Sequence, residues 1–255
     1  MKKGFLLGVI CTLCFGAVVI AEEGELSASF DFSYHTRWLS KGALGYGQQG
    51  AFFKTVDVDL YGTGFGAKVT HRNATSSGYV DKQRFDYRPY YAGSFAEGTA
   101  HETHFNISAG YEHYTDIDRE MANTTWEWIL ACSWPNILPG GVVPSYIAHY
   151  EYPAGSDTAF NHITGWVHRL RLSKQVVNPE LPKPLNLIGE VAYTDGLGGA
   201  AHDWSYAMFG VNTRIDIRKN WYFVPGVYHQ ISMDDSVNKN DSLTYGIFSL
   251  KILTR

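Results

Sequence analysis

The stretch that decides the fold is Leu26-Ser27-Ala28-Ser29-Phe30-Asp31-Phe32. Its apolar side chains occupy every second position, and polar or small side chains fill the positions between them. Because successive side chains of a β-strand point to opposite faces, this alternation predicts a strand with one apolar and one polar face. A helix would need apolar residues at a spacing of three to four, which the stretch does not show.

The same alternation recurs along most of the chain. It predicts twelve strands and no amphipathic helix. The predicted strands lie around residues 26–32, 52–60, 65–72, 84–91, 105–112, 126–134, 145–152, 169–172, 186–193, 209–217, 221–231 and 248–252. Many short alternating strands in even number favour an all-β fold that closes into an antiparallel barrel.

The connections between the predicted strands are of two kinds. Tight turns lie at residues 62–64 and 218–220, and longer polar stretches occupy residues 41–50, 73–82, 116–123, 153–162, 195–203 and 233–242. In a chain of antiparallel strands, these six longer stretches all fall at one end of the barrel. Long loops at one end and shorter turns at the other are typical of transmembrane barrels of the outer-membrane type.

The composition excludes several classes of protein. Of the 255 residues, 45% are hydrophobic, 15% aromatic and only 18% charged. The chain is therefore too apolar to be disordered and too poor in charged residues for a helical bundle. Its formal net charge of -4 argues against a nucleic-acid-binding protein, which normally carries a basic face.

The first 21 residues have the pattern of a secretory signal peptide. Lys2 and Lys3 give a positive start, residues 4–20 carry no charge, and small residues precede Glu22. A retained helical anchor is the alternative. We therefore expect a signal peptide at residues 1–21 and a single β-barrel domain at residues 22–255. Cys132 is then the one remaining cysteine, so no internal disulfide can form.

The polar face decides between a soluble and a membrane barrel. In a soluble barrel the apolar face packs inside, whereas in a membrane barrel it meets lipid and the interior is polar. Charges of opposite sign occupy neighbouring predicted strands, as with Asp57 and Lys68, and closure would place Lys251 beside Asp31. A narrow lumen favours such pairs because an unpaired charge there is costly, although a solvated sheet face would also tolerate them.

Aromatic residues favour the membrane barrel. Large rings lie on the apolar face near strand ends, as the aromatic girdles of a membrane barrel require. These rings belong to Trp38, Trp126, Trp134, Trp166, Trp221, Tyr91, Tyr111, Tyr152 and Tyr193. Pro89, Pro144 and Pro225 count against a closed barrel, because a proline inside a strand removes a hydrogen bond of the ladder. His168 also falls on the face assigned to lipid.

A short motif supports the same fold. Residues 34–40, read as Tyr-His-Thr-Arg-Trp-Leu-Ser and followed by Gln49-Gly50, resemble the opening of an uncharacterised family of predicted bacterial outer-membrane β-barrel proteins. That family's first strand reads S-x-Y-x-x-R-G-x-S, and Tyr34, Arg37 and Ser40 match it. Trp38 stands where the family usually has glycine. The resemblance implies a fold and a location rather than an activity.

Patterns that would indicate catalysis are weak. His229 and Ser232 are the nearest pair to a base and a nucleophile, but a spacing of three on one strand points them to opposite faces. The sequence predicts no cofactor and no metal site. A lipid-modifying barrel enzyme is therefore the least favoured alternative, and we expect the protein not to be an enzyme.

The sequence predicts a channel. We expect a narrow channel or passive transporter for small polar solutes in a bacterial outer membrane, in contact with outer-membrane lipid and with no nucleic-acid partner. Its predicted lumen-lining residues are Asp57, Asp59, Arg72, Arg84, Arg88, Glu112, Glu151, Arg169, Arg171 and Arg214. The alternative is a structural or interaction barrel with a plugged lumen, which tyrosines such as Tyr90 and Tyr114 could help to fill.

Overall fold

The structure is a computed structural model that describes residues 24–75, 83–115, 124–154, 164–239 and 242–254. The predicted signal peptide, residues 1–21, lies outside the described residues. Within the described ranges, no helix is long and apolar enough to cross a membrane.

The described part of the chain contains twelve long strands, which confirms the all-β prediction. They are β1 Ser27–His35, β2 Ala51–Asp59, β3 Phe65–Ala74, β4 Gln83–Phe95, β5 Thr103–Tyr114, β6 Thr125–Ser133, β7 Val142–Pro153, β8 Gly165–Val176, β9 Leu185–Asp195, β10 His202–Thr213, β11 Trp221–Ser232 and β12 Ser242–Thr254. Shorter elements are the strand pair Leu39–Ser40 and Ala43–Leu44, the strand Ile215–Arg218, and the 3-10 turns Pro139–Gly141 and Leu197–Gly199.

The strands form one closed antiparallel barrel. Each pairs with its neighbours in sequence, and β1 pairs with β12, so that no long strand is left as an edge. Phe30 of β1, for example, lies between Val56 of β2 and Ile252 of β12. Closure satisfies the backbone hydrogen bonds of every strand, which is a requirement for crossing lipid with strands.

The alternating direction of the strands gives the barrel two different ends. We call the end with the connections after β1, β3, β5, β7, β9 and β11 the long-loop end, and the other the short-turn end. At the short-turn end, Asp59 closes the turn after β2, because its carboxylate accepts a hydrogen bond of 2.6 Å from the Gly62 amide.

The outer and inner faces of the barrel wall differ in polarity as a membrane barrel requires. Apolar side chains on the outside remain exposed, from 37% for Val56 to 58% for Phe209. Charged side chains on the inside, such as Arg84 and Glu112, are buried. An apolar exterior around a polar interior is the arrangement of a transmembrane barrel, and the predicted antiparallel transmembrane β-barrel is confirmed.

Pro89, Pro144 and Pro225 lie where a ladder stops or is interrupted. Pairing between β4 and β5 skips Pro89, the β6–β7 ladder ends beside Pro144, and the β10–β11 ladder ends beside Pro225. At these positions the ladder does not need the amide hydrogen bond that proline cannot donate.

His168, on the outer face, has a hydrogen-bond partner nearby. Its Nδ1 lies 2.7 Å from the Tyr146 hydroxyl.

The connection between β1 and β2 turns into the barrel, and this corrects the placement of Trp38. The sequence predicts Trp38 in an outer girdle, but the side chain is only 4% exposed and packs with Tyr46 and Ala51 inside. The reason is that β1 ends at His35, so the alternation of the strand does not extend to position 38. We call residues 39–44, a strand pair joined at Lys41 and Gly42, the inner hairpin.

Candidate functional site

A dense network of charges fills the long-loop half of the barrel interior. Arg84 of β4 contacts Asp86 at 2.6 Å and Glu112 of β5 at 2.7 Å. Arg72 of β3 forms a salt bridge with the same Asp86. Arg84 and Glu112 are 3% and 1% exposed, so each must be paired to remain charged. The ring of Trp38 lies 5.2 Å from both guanidinium groups, as cation–π contacts require.

The network continues around the wall through Glu127 of β6. Its carboxylate lies 2.5 Å from Arg88 of β4 and 2.8 Å from His149 Nδ1 of β7. The other ring nitrogen of His149 lies 2.5 Å from Arg169 Nη2 of β8. Because arginine can only donate, His149 Nε2 accepts and its Nδ1 donates to Glu127. The imidazole therefore links two charges of opposite sign and stays neutral in this arrangement.

Lys41, at the tip of the inner hairpin, reaches the same group of charges from the centre of the barrel. Its ammonium lies 2.9 Å from Glu127 Oε1 and also pairs with Glu151 of β7. Burial lowers the pKa of Lys41 and the carboxylates of Glu127 and Glu151 raise it, with a net rise. The hairpin thus carries the positive charge of Lys41 into the lumen.

The opposite side of the hairpin is fixed by Gly42. The Gln230 side chain of β11 donates a hydrogen bond of 2.8 Å to the Gly42 carbonyl. Gly42 has a φ of +94°, and a Cβ added there would lie 2.5 Å from the Tyr206 ring of β10. Glycine alone suits this position. The hairpin therefore lies between β6 and β7 on one side and β10 and β11 on the other.

The short-turn half of the interior holds separate, more hydrated pairs. Asp57 lies 3.0 Å from Lys68 and accepts a hydrogen bond of 2.9 Å from the Tyr90 hydroxyl. Lys251 of β12 lies 3.3 Å from Asp31 of β1. The Lys68 and Lys251 side chains are 40% and 43% exposed, so water screens both pairs.

Cavities lie in both halves of the barrel interior. A cavity of about 340 Å³ lies at the long-loop end, and cavities of about 210 Å³ and 230 Å³ lie further in. Lys41 lines all three. A fourth cavity, of about 280 Å³, is lined by Asp57, Asp59 and Tyr90 at the short-turn end. The interior is thus subdivided and not filled.

The structure brings most of the predicted lumen residues onto the inner wall of the barrel. Nine of them have interior contacts or line the cavities described above: Asp57, Asp59, Arg72, Arg84, Arg88, Glu112, Glu151, Arg169 and Arg171. Arg169 and Arg171 share Glu190 of β9, at 3.7 Å and 2.6 Å. Arg214 is placed elsewhere: it follows β10 and forms an exposed pair with Asp216, because the strand has ended before it.

Five residues central to the network are missing from the predicted set: Lys41, Asp86, Glu127, His149 and Glu190. Alternation did place Glu127 and His149 on the polar face, so the signal for them was present. Lys41 lies in a connection, where alternation carries no information, and only the fold brings it to Glu127.

The candidate catalytic pair is not assembled. The Ser232 hydroxyl donates to the Asn238 carbonyl at 2.7 Å, while His229 Nδ1 lies 2.9 Å from the Thr244 hydroxyl. The two side chains therefore have different partners, as their spacing on one strand predicts.

Comparisons with solved structures agree on the fold. The KdgM porin in complex with disordered oligogalacturonate matches with a TM-score of 0.56 and 11% identity, over 88% of this chain and 98% of that one. A second KdgM porin structure gives 0.54 and 12%, over the same shares. An outer membrane channel from Pseudomonas putida F1 gives 0.51 and 8%, over 94% and 98%. No protein-family model and no curated protein matches the sequence. At such low identity, the structural similarity shows a shared β-barrel fold.

Proposed function

We propose that the protein is a narrow channel or passive transporter for small polar solutes in a bacterial outer membrane. The observation that carries this proposal is the presence of cavities, each lined in part by charged side chains, in both halves of the barrel interior. Charged and hydrogen-bonding walls can replace part of the hydration of a polar solute during passage. We further propose that the nine interior residues predicted from the sequence line this pathway.

The solute class follows from the wall. Positive side chains such as Arg84, Arg88 and Arg171 are each paired with a carboxylate, so the interior presents both signs. One structural neighbour holds an oligogalacturonate. For this chain we propose small polar solutes without a strong preference for one sign of charge, because most interior charges are already balanced.

The location rests on two features. The exposed apolar belt must meet lipid, and residues 1–21 have the pattern of an export signal. The motif at residues 34–40 suggests in addition the family of predicted outer-membrane barrels that it resembles. Fractionation of the producing bacterium should recover the protein with the outer membrane and with an N-terminus near Glu22. Recovery as a soluble periplasmic protein would contradict this location.

Single-channel recording tests the function. Purified protein, refolded and inserted into a planar bilayer, should give discrete conductance steps in potassium chloride. Liposomes containing the protein should also swell in solutions of small neutral sugars. The absence of both would favour the second candidate, a barrel plugged for a structural or interaction role, for which the inner hairpin across the lumen is the specific support.

A further inference from the structure

The geometry points to the inner hairpin as the constriction of the pore and to Lys41 as its selectivity-determining residue. This inference rests on the proposed channel function and names the residue that controls it. It depends on where the hairpin lies, how it is held and which charge it carries.

The hairpin crosses the lumen from wall to wall. At its base, Trp38 packs beside Arg72 and Arg84 on one wall. At its tip, Lys41 binds Glu127 and Glu151, and Gly42 receives the hydrogen bond from Gln230 on the opposite wall. The three cavities described above in the long-loop half and beside the hairpin are all lined by Lys41. A solute moving between these three cavities therefore comes into contact with Lys41.

The backbone conformation at the tip indicates that contacts with the barrel wall hold Lys41 in place. Lys41 has a φ of +53°, in the left-handed region that disfavours residues with a Cβ. Together with Gly42 it forms a two-residue turn in which both central residues have positive φ, as type I′ hairpins require. Asparagine or glycine would relieve the strain at position 41, so the lysine occupies this position at a conformational cost. Its two carboxylate partners explain how the fold sustains that cost.

The charge of Lys41 sets the net charge at the constriction. Glu127 keeps Arg88 and His149 as partners without Lys41, and Glu151 keeps the Thr125 hydroxyl at 3.0 Å. Loss of the ammonium would therefore leave the constriction more negative by one charge without dismantling the wall. In a narrow, poorly hydrated passage, one charge has a large effect on which ions pass.

The test compares two single substitutions that remove one positive charge each. Lys41→Gln changes the constriction, and Lys68→Gln changes the more hydrated short-turn half, where the side chain is 40% exposed. Reversal potentials in a potassium chloride gradient should move toward the potassium equilibrium value for Lys41→Gln and change little for Lys68→Gln. Single-channel conductance of Lys41→Gln should rise by about twofold or more, because the hairpin loses its anchor. Lys41→Arg should retain the selectivity of the parent.

A third variant removes the constriction itself. The Gly45 amide lies 2.9 Å from the Trp38 carbonyl, so two glycines can replace residues 39–44 without moving the flanking chain. This variant should conduct more than the parent. Conduction by this variant alone would show that the hairpin is a closed plug, and it would contradict both the channel function and the selectivity role of Lys41. If the parent conducts and neither variant differs from it, the inference is wrong and the channel function stands. If neither the parent nor the shortened variant conducts, the proposed function falls and the inference falls with it.

Discussion

The two halves of the barrel interior are built from the same kinds of residue but differ in hydration. In the long-loop half, Arg84 and Glu112 are 3% and 1% exposed and share partners with several other charges. In the short-turn half, Lys68 and Lys251 are at least 40% exposed, and each has one carboxylate partner. The strands are alike in both halves, so the difference comes from the inner hairpin, which covers these charges and leaves little of their surface in contact with water. The long-loop half is therefore occluded by one connection and not by the wall, although cavities remain beside the hairpin.

The largest effect should come from removing a charge in the occluded half. Arg84→Met leaves Asp86 and Glu112 close together in a buried site, although Arg72 and Arg88 remain near them. Breaking a buried pair in this way should cost about 3–5 kcal/mol of the free energy of unfolding. Reversible urea unfolding of the protein in detergent or lipid vesicles, followed by tryptophan fluorescence, measures the change.

Lys251→Met is the matched control in the hydrated half. Its partner Asp31 is partly in water and also accepts a hydrogen bond from Ser249. The control should cost at most about 1 kcal/mol. Equal costs for Arg84→Met and Lys251→Met would show that the two halves are hydrated alike and would contradict the comparison.

The second test concerns the outer face of the barrel and asks whether its side chains contact lipid. Val56 lies on the outer face of β2, in the same half as Lys68, and is 37% exposed. Val56→Arg should cost about 2–4 kcal/mol in a bilayer, because it places a cation toward the middle of the hydrocarbon. The same substitution measured in a short-chain detergent should cost less. An equal cost in both media would indicate a packed protein contact at position 56 instead of lipid.

Alternation predicted the wall and failed at the connections, for a physical reason. The period of two reports which side chains share a face, so Asp57, Arg84 and Glu112 were placed together correctly relative to Val56. A connection has no such period, and nothing local distinguishes a loop that stays in solvent from one that enters the barrel. The inward path of the chain at Trp38 and Lys41 depends on Glu127 and Gln230, which lie far along the sequence. Such long-range contacts form only when the barrel closes, and they produce no pattern in the residues next to Trp38 and Lys41.

The third test compares the halves through ion selectivity. Replacing Arg169 and Arg171 together with glutamine removes two positive charges beside the cavity of about 230 Å³ below the hairpin. Reversal potentials should shift toward cation selectivity. The double replacement of Lys68 and Lys251 with glutamine removes the same charge in the hydrated half and should shift them less, because water and salt screen those sites. A larger shift for the lysine pair would place the selective region at the short-turn end.

The smallest effect is expected for Asp57→Asn, next to Val56 but on the inner face of β2. The asparagine carbonyl can accept the hydrogen bond that Tyr90 now donates to Asp57, and Lys68 can turn to water because 40% of its side chain is exposed. The free energy of unfolding should therefore change by less than about 1 kcal/mol.

The companion measurement places a single cysteine at position 57 or at position 125, in a Cys132→Ser background. Thr125 is 2% exposed in the occluded half, so a water-soluble thiol reagent should label position 57 faster than position 125. Equally fast labelling would mean that the hairpin does not restrict access of water to the long-loop half.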